Sequence, residues 1–232
     1  MSVDETIADP SRPVAVLASG GADSAILLAE ACRVHPAVQP IYVRFGLLWE
    51  EAEQAHLSRF LSAIACPALR PLVSLEVPVR DLYGDHWSLT GHNVPDADSP
   101  DEAVFLPGRN LLLLPKAMLW CHLHGFPAVA LAHLGANPFS DATPGFLADF
   151  EAVANRAFGG AVRIVRPYAR LDKADVLRRG AGLPLAETFS CIHPIEGRHC
   201  GACNKCAERQ RGFRDLAIPD PTAYVRRQSC TV

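Results

Sequence analysis

The sequence predicts an α/β protein: a parallel five-stranded sheet with helices on both faces, followed by a small cysteine-rich segment. Three observations carry that expectation. Short apolar runs alternate with stretches of helical periodicity from Val14 to Gly180. Strands that alternate with helices make parallel sheets, because each crossover helix carries the chain back to the end where the last strand began. A glycine pair, Gly20-Gly21, sits where the first apolar run gives way to the first helical one, and four cysteines gather between Cys191 and Cys206.

Taken in order, Val14 to Ala18 reads as a buried strand, Ser24 to about His35 as a helix, and Val38 to Phe45 as a second strand. Glu50 to Ala65 is a polar-faced helix whose apolar side is Ala52, Ala55, Leu57, Phe60, Leu61 and Ile64; Leu72 to Val77 is the third strand. Arg80 to Gly108, of mixed polarity, reads as one long loop, and such loops in compact domains are usually functional or mobile. Asn110 to His124 is apolar nearly all round and predicts a buried helix. Ala128 to Ala132 is the fourth strand, and His133 to Thr143 a loop. Thr143-Pro144 is an N-cap followed by proline at the first helical position, opening a helix with Phe146, Phe150, Val153 and Ala157 as its apolar stripe. Val162 to Val165 is the fifth strand, and Asp172 to Arg179 a short helix stopped by Gly180. Ligands of such sheets bind outside the carboxyl ends of the strands.

With 232 residues and 49% apolar composition, the chain can bury one α/β core with a small appendage. We divide it into a tail (1–12), an α/β domain (13–185) that carries the glycine pair, and a C-terminal segment (186–232) that carries the cysteine cluster. The formal net charge of −3 offers no basic surface for a nucleic acid. The opening Met-Ser-Val-Asp-Glu lacks the basic start and apolar core of a secretory signal. Aliphatic runs such as Leu111 to Leu114 are too short to cross a bilayer. A soluble, cytoplasmic protein without a membrane partner is expected.

The string Ala18-Ser19-Gly20-Gly21-Ala22-Asp23-Ser24 joins the first strand to the first helix. Glycines there let the backbone approach an anion closely and adopt positive φ. Open N–H groups and the helix dipole attract a phosphate, and Ser19 and Ser24 add hydroxyl donors. Asp23 would repel a bare phosphate, which suits a Mg2+ ligand, direct or through water. A Gly-Gly pair alone fits any capped turn. The full Ser-Gly-Gly-x-Asp-Ser string resembles the PP-loop of ATP pyrophosphatases, which split ATP between the α- and β-phosphates and adenylate a substrate. It lacks the lysine and glycine spacing of the Walker A loop and of the dinucleotide fingerprint.

Cys200, Cys203 and Cys206 stand at three-residue intervals, nine residues after Cys191. Four thiolates suit tetrahedral zinc, and two-residue gaps let neighbouring ligands wrap one ion. Gly201 eases the turn, and Lys205, Arg198 and Arg209 can offset the charge. An iron–sulfur cluster, a redox pair, or substitution by His193 or His199 are the other readings of these residues. With no obvious open coordination position, the metal reads as structural.

In this order and separation the two motifs resemble the 7-cyano-7-deazaguanine synthase family, over roughly Val14 to Phe213. Ser88-Leu89-Thr90 followed by Phe105-Leu106-Pro107-Gly108-Arg109-Asn110 is similar to the family segment ending in Gly-Arg-Asn. Arg170-Leu171-Asp172-Lys173-Ala174-Asp175 is similar to its Leu-Thr-Lys-Ala-Glu stretch. Thr188-Phe189-Ser190-Cys191 is similar to its Thr-Trp-Ser-Cys, and Arg209 to Phe213 to its trailing Arg-x-x-Gly-Phe. The resemblance implies an adenine nucleotide alpha hydrolase-like, Rossmann-like fold, a structural zinc, a homodimer and a reaction in queuosine precursor biosynthesis. In it, ATP activates the carboxylate of 7-carboxy-7-deazaguanine as an acyl adenylate and ammonia gives the amide. A second ATP activates the amide oxygen, and loss of AMP leaves the nitrile.

On this reading Ser19 to Ser24 hold the phosphates, and Lys173 neutralises the leaving pyrophosphate; otherwise Lys173 is a solvated lysine. Arg109 holds a phosphate or the substrate carboxylate, or forms a structural salt bridge, and Asn110 caps its helix or bonds the nucleotide. The family's Tyr-Pro-Asp-Cys-Arg-Pro stretch is replaced by Gly135 to Pro144, in which only Asp141 and Pro144 align. There Phe139 can stack on a flat base, and Asp141 either accepts from a guanine-like edge or caps the helix at Pro144. His133, just past the fourth strand, lies where a ligand binds. The departure leaves open a ligase acting on a different carboxylate or purine analogue. A tRNA thiolation enzyme of the same superfamily would need a basic extension that the chain lacks.

Overall fold

A computed structural model describes residues 9–135 and 137–225. Most of the expected tail, and Cys230, lie outside these residues. Five strands, β1 (Val14–Leu17), β2 (Val38–Arg44), β3 (Val73–Glu76), β4 (Ala128–Ala130) and β5 (Arg163–Val165), form one parallel sheet in the order β3-β2-β1-β4-β5. Val14 pairs with Val38, and Ala15 with both Gln39 and Val129. Helices α1 (Ala22–Val34), α2 (Glu50–Ala63), α5 (Arg109–Leu123), α6 (Pro144–Phe158), α7 (Lys173–Arg179) and α8 (Asn204–Asp215) cover both faces.

The pleat divides β1 between two cores. Val14 and Val16 face Ile26, Leu27 and Leu28 of α1, Val176 and Leu177 of α7 and Phe213 of α8. Ala15 faces the other way, toward Ala117, Met118 and Cys121 of α5, Ala154 of α6 and the four clustered cysteines. Ile26, Leu27 and Leu28 are wholly buried. At about 2 kcal/mol per buried side chain, they clamp α1, and with it the loop at its head, onto the sheet.

Three sequence expectations are corrected. Arg80 to Gly108 carries two short helices, α3 (Arg80–Tyr83) and α4 (Trp87–Thr90), and a 3-10 turn at Asp101–Val104. The His86 ring caps α4 by accepting from the Ser88 amide, and Gly91 at φ 75 ends it. Second, α5 is not buried all round: it covers Leu114, Ala117, Met118 and Cys121 but leaves Leu111 (48%) and Leu123 (69%) in solvent. Third, α6 buries Leu147 and Ala154, whereas Val153 and Ala157 of the expected stripe are exposed. The Thr143 hydroxyl does accept from the Phe146 amide, with Pro144 at the first helical position.

The strand order reverses direction between β1 and β4. The crevice that opens there is the ligand position of such sheets. The loop after β1 and the loop after β4 face each other across it.

Candidate active site

That crevice holds a cavity of about 330 Å³. The loop from Ala18 to Ser24 forms one wall. Gly20 adopts φ +74, and a Cβ there would stand 2.9 Å from Cγ of Glu53, so both conformation and space require glycine. Gly21 differs from expectation: it is the extended N-cap of α1, at φ −68 and ψ 160. A Cβ on it would meet only Ser19 Oγ at 3.4 Å and the Phe189 carbonyl at 3.8 Å. What its missing side chain leaves open is the cavity. No side chain caps α1, so the amides of its first turn have no partner within the helix. The Ser24 hydroxyl bonds the Ser19 amide (3.2 Å) and the Gly21 carbonyl (3.1 Å), closing the loop on itself.

Asp23 and Lys173, 150 residues apart, meet here. Lys173 Nζ donates to both carboxylate oxygens at 2.9 Å and lies 3.6 Å from Glu208. Burial alone would lower the Lys173 ammonium, but the two carboxylates outweigh it and hold it above its ordinary value. Lys173 opens α7, whose cap is the reciprocal Asp172–Asp175 box. It is therefore only partly exposed, and it is paired, not a free surface lysine.

Arg109 and Asn110 open α5. Among the described residues Arg109 has no salt bridge, and its buried Nε lacks a hydrogen-bond partner. A buried guanidinium nitrogen without an acceptor is costly and fits an anionic ligand. Asp141 is buried and spends both oxygens on Asn110: the backbone amide at 2.9 Å and the side-chain amide at 3.1 Å. It caps α5, not the helix at Pro144, so each oxygen already carries one bond, while a second lone pair on each remains for a ligand in the cavity that Asp141 lines. Phe139 stacks on Phe105 at 5.2 Å, and Trp49 on Trp87 at 5.8 Å; all four line the cavity and suit a flat heterocycle. His133 lines it too, with Nδ1 buried and unpartnered. Burial, with Arg166 and Arg109 beside it, pushes its imidazole down to about 4, so it is neutral.

The sequence reading missed Glu53. It lies inside the cavity at 7% exposure, accepting from the Tyr42 hydroxyl at 2.5 Å. Burial pushes its carboxyl up to about 8 against the pull of Tyr42 and Arg109. The signal was present: Glu53, Leu57 and Phe60 stand at i, i+4 and i+7, so the carboxylate shares the buried stripe of α2.

The four cysteine sulfurs lie within 4.8 Å of one another. The contacts Cys191–Cys203 and Cys200–Cys206 are 3.8 and 3.9 Å. A tetrahedron with zinc–sulfur bonds of about 2.3 Å has edges of about 3.8 Å; these two edges match it, and the four thiols together could hold zinc. Neither histidine joins it; His199 Nε2 instead accepts from the Ser190 amide. Thiolate charge is met by amides: those of His193 and Cys200 donate to Cys191, and those of Ala202 and Cys203 to Cys200. Two of the expected counter-cations are committed elsewhere, Lys205 to Glu208 and Arg198 to Glu196. Buried Arg209 donates to Thr222, Thr188 and the Leu185 carbonyl. The cluster adjoins the phosphate loop, since the Phe189 amide donates to the Gly20 carbonyl at 2.7 Å.

A sequence model of the family described as "Queuosine biosynthesis protein QueC" matches residues 13–217. A 7-cyano-7-deazaguanine synthase from Syntrophobacter fumaroxidans is 33% identical over 237 residues, covering 93% of this chain and 97% of that protein. One from Xanthomonas oryzae pv. oryzae is 34% identical over 230 residues, with 92% and 98% covered. Among solved structures, a predicted subunit of tRNA methyltransferase from Methanocaldococcus jannaschii shares the fold, with a TM-score of 0.51 at 11% identity over 94% of each chain.

Proposed function

This chain belongs to the QueC family of queuosine biosynthesis proteins, and from that premise we propose that it converts 7-carboxy-7-deazaguanine, ammonia and ATP to 7-cyano-7-deazaguanine. The observation that carries the reading is a convergence. The open amides of α1, the Lys173 ammonium and the unpartnered Arg109 guanidinium line one cavity that also has aromatic walls. Phosphate is bound at one end of it and a flat carboxylate at the other.

In this reading residues 13–185 carry the nucleotide and 186–232 the metal. The loop from Ala18 to Ser24 cradles the triphosphate. Arg109 holds the substrate carboxylate against the α-phosphate, and Lys173 neutralises charge on the departing pyrophosphate. Asp23 is the residue that would hold Mg2+, which would supply charge screening at the phosphate oxygens; as it stands, the Asp23 carboxylate bonds Lys173 through both oxygens. Phe139 and Phe105 stack on the deazapurine, and neutral His133 offers a hydrogen bond to it. Zinc, held by Cys191, Cys200, Cys203 and Cys206, supplies a fixed cross-link and no chemistry.

We read the enzyme as a homodimer. Leu111, Leu119 and Leu123 lie along one side of α5, and Val153 of α6 is 57% exposed; apolar surface of this kind suits a second copy. A cytoplasmic location is part of this reading; among the described residues no helix is long and apolar enough to cross a membrane. A ligase for another carboxylate is the second reading, favoured by the commitment of Asp141 to Asn110.

The test supplies purified protein with ATP, Mg2+, ammonium and 7-carboxy-7-deazaguanine and follows AMP and the nitrile by mass spectrometry. Both products are expected. AMP formed only with another carboxylate would establish the second reading.

A further inference from the structure

Helix α8 carries two features at once. Cys206 contributes a sulfur to the metal cluster, while Lys205 and Glu208 line the nucleotide cavity. Lys205 pairs with Glu208, Glu208 lies 3.6 Å from Lys173, and Lys173 bonds Asp23 at 2.9 Å. Four side chains of alternating sign thus run from the metal-anchored helix to the phosphate loop. All are partly exposed, Lys205 at 33%, Glu208 and Lys173 at 27% and Asp23 at 23%.

The position of Lys205 needs a reason. It stands in the first turn of α8, where a cation opposes the helix dipole. Its thiolate neighbours do not explain it, since its ammonium turns to Glu208. Lys173 likewise stands at the first position of its own helix, α7. Two lysines, each set against a dipole, converge on one carboxylate in a cavity that the first turn of α1 also lines, and Lys173 bonds Asp23 of that turn.

We propose that Lys205 is a catalytic residue of the adenylation step, binding the β- and γ-phosphates as they leave, and that Glu208 is the positioning residue that keeps Lys205 and Lys173 ready for them. The inference rests on the adenylation reading of this site. As the substrate oxygen bonds the α-phosphorus, the bond from that phosphorus to the bridging oxygen breaks, and the electron pair departs with pyrophosphate. Lys205 and Lys173 leave Glu208 for the new charge; no proton moves. Because its backbone lies between two zinc ligands, Lys205 is held to the site by the metal.

The test uses zinc-loaded full-length protein and two probes, Mg2+-ATP and inorganic pyrophosphate, measured by calorimetry and by product inhibition. Lys205→Met should weaken pyrophosphate binding about 10- to 100-fold, the value of a charge-assisted hydrogen bond, with zinc content unchanged. Lys205→Arg should stay within a few-fold of wild type. Glu208→Gln should act in the opposite direction and tighten pyrophosphate, because both lysines lose their resident counter-ion. Unchanged pyrophosphate binding in Lys205→Met would overturn the proposal, as would equal weakening by Lys205→Met and Glu208→Gln, which marks a merely structural pair. Wild-type protein that binds no Mg2+-ATP would instead remove the adenylation reading, and this inference with it.

Discussion

Gly20 and Gly21 are adjacent, yet alanine should do opposite things at the two positions. At Gly20 it must adopt φ +74, which costs an L-residue about 1–2 kcal/mol. Its Cβ would also stand 2.9 Å from Glu53 Cγ and 3.2 Å from the Glu53 carbonyl oxygen. The side chain can shift, but the carbonyl belongs to α2, so overpacking adds about 1–2 kcal/mol more. Gly20→Ala should therefore destabilise by about 2–4 kcal/mol, lowering Tm by roughly 5–15 °C in a chain of this size. At Gly21 the backbone is already one that alanine prefers, and its Cβ meets nothing closer than 3.4 Å. Stability should be unchanged or higher by about 0.4–1 kcal/mol, through the unfolded chain. The added methyl instead occupies the space that the phosphate needs, and KM for ATP should rise about 10-fold or more. Calorimetric melting of both zinc-loaded variants, with pyrophosphate release measured alongside, separates the two effects. A Gly21→Ala protein that melts below Gly20→Ala, or that turns over ATP normally, would refute the reasoning.

Other expectations follow from the same site. Asp23→Ala should abolish AMP formation while the far-ultraviolet circular dichroism stays native, since Lys173 keeps Glu208 as a partner; retained turnover would remove Asp23 from the mechanism. Cys203→Ala should release zinc and lower Tm, and pyrophosphate release should fall with the metal content because the first turn of α8 loses its anchor; an unaltered melting curve would count against a structural site. Glu53 predicts a pH effect whose sign can be worked out. Its folded value, about 8, lies above the ordinary 4.5. The stability linked to its proton is therefore complete below about pH 4.5 and is lost as pH rises through 8. The urea midpoint of ligand-free wild type should fall between pH 5 and 8 more steeply than that of Glu53→Gln; parallel profiles would show that Glu53 is not the group.

The glycine loop at the head of α1 and the four-cysteine cluster were legible in the sequence because each is local. One turn of backbone makes the loop, and three of the four thiols stand at three-residue intervals, so these residues lie side by side. The partners that complete the site were not local. Nothing near Asp141 says that its oxygens belong to Asn110, 31 residues earlier; the sheet brings them together. Lys205 read as a counter-charge for thiolates because those are its neighbours in the chain, although Glu208 stands at the helical i+3 spacing. Glu53 was hidden by the usual rule that carboxylates on helices face water. The apolar girth of α5 forecast burial, but hydrophobicity alone does not say which side is covered by the same chain.

The tie between Asp141 and Asn110 has an evolutionary consequence. Asp141 grips the residue next to Arg109, so the loop after β4 acts as a set-screw on the guanidinium's aim. On the proposed role of Arg109 toward the substrate carboxylate, changes in that loop would retune which acceptor is held without touching the loop from Ala18 to Ser24. A lineage can thus shift its choice of acid by drift in one short stretch, while the machinery for activating acids is inherited whole.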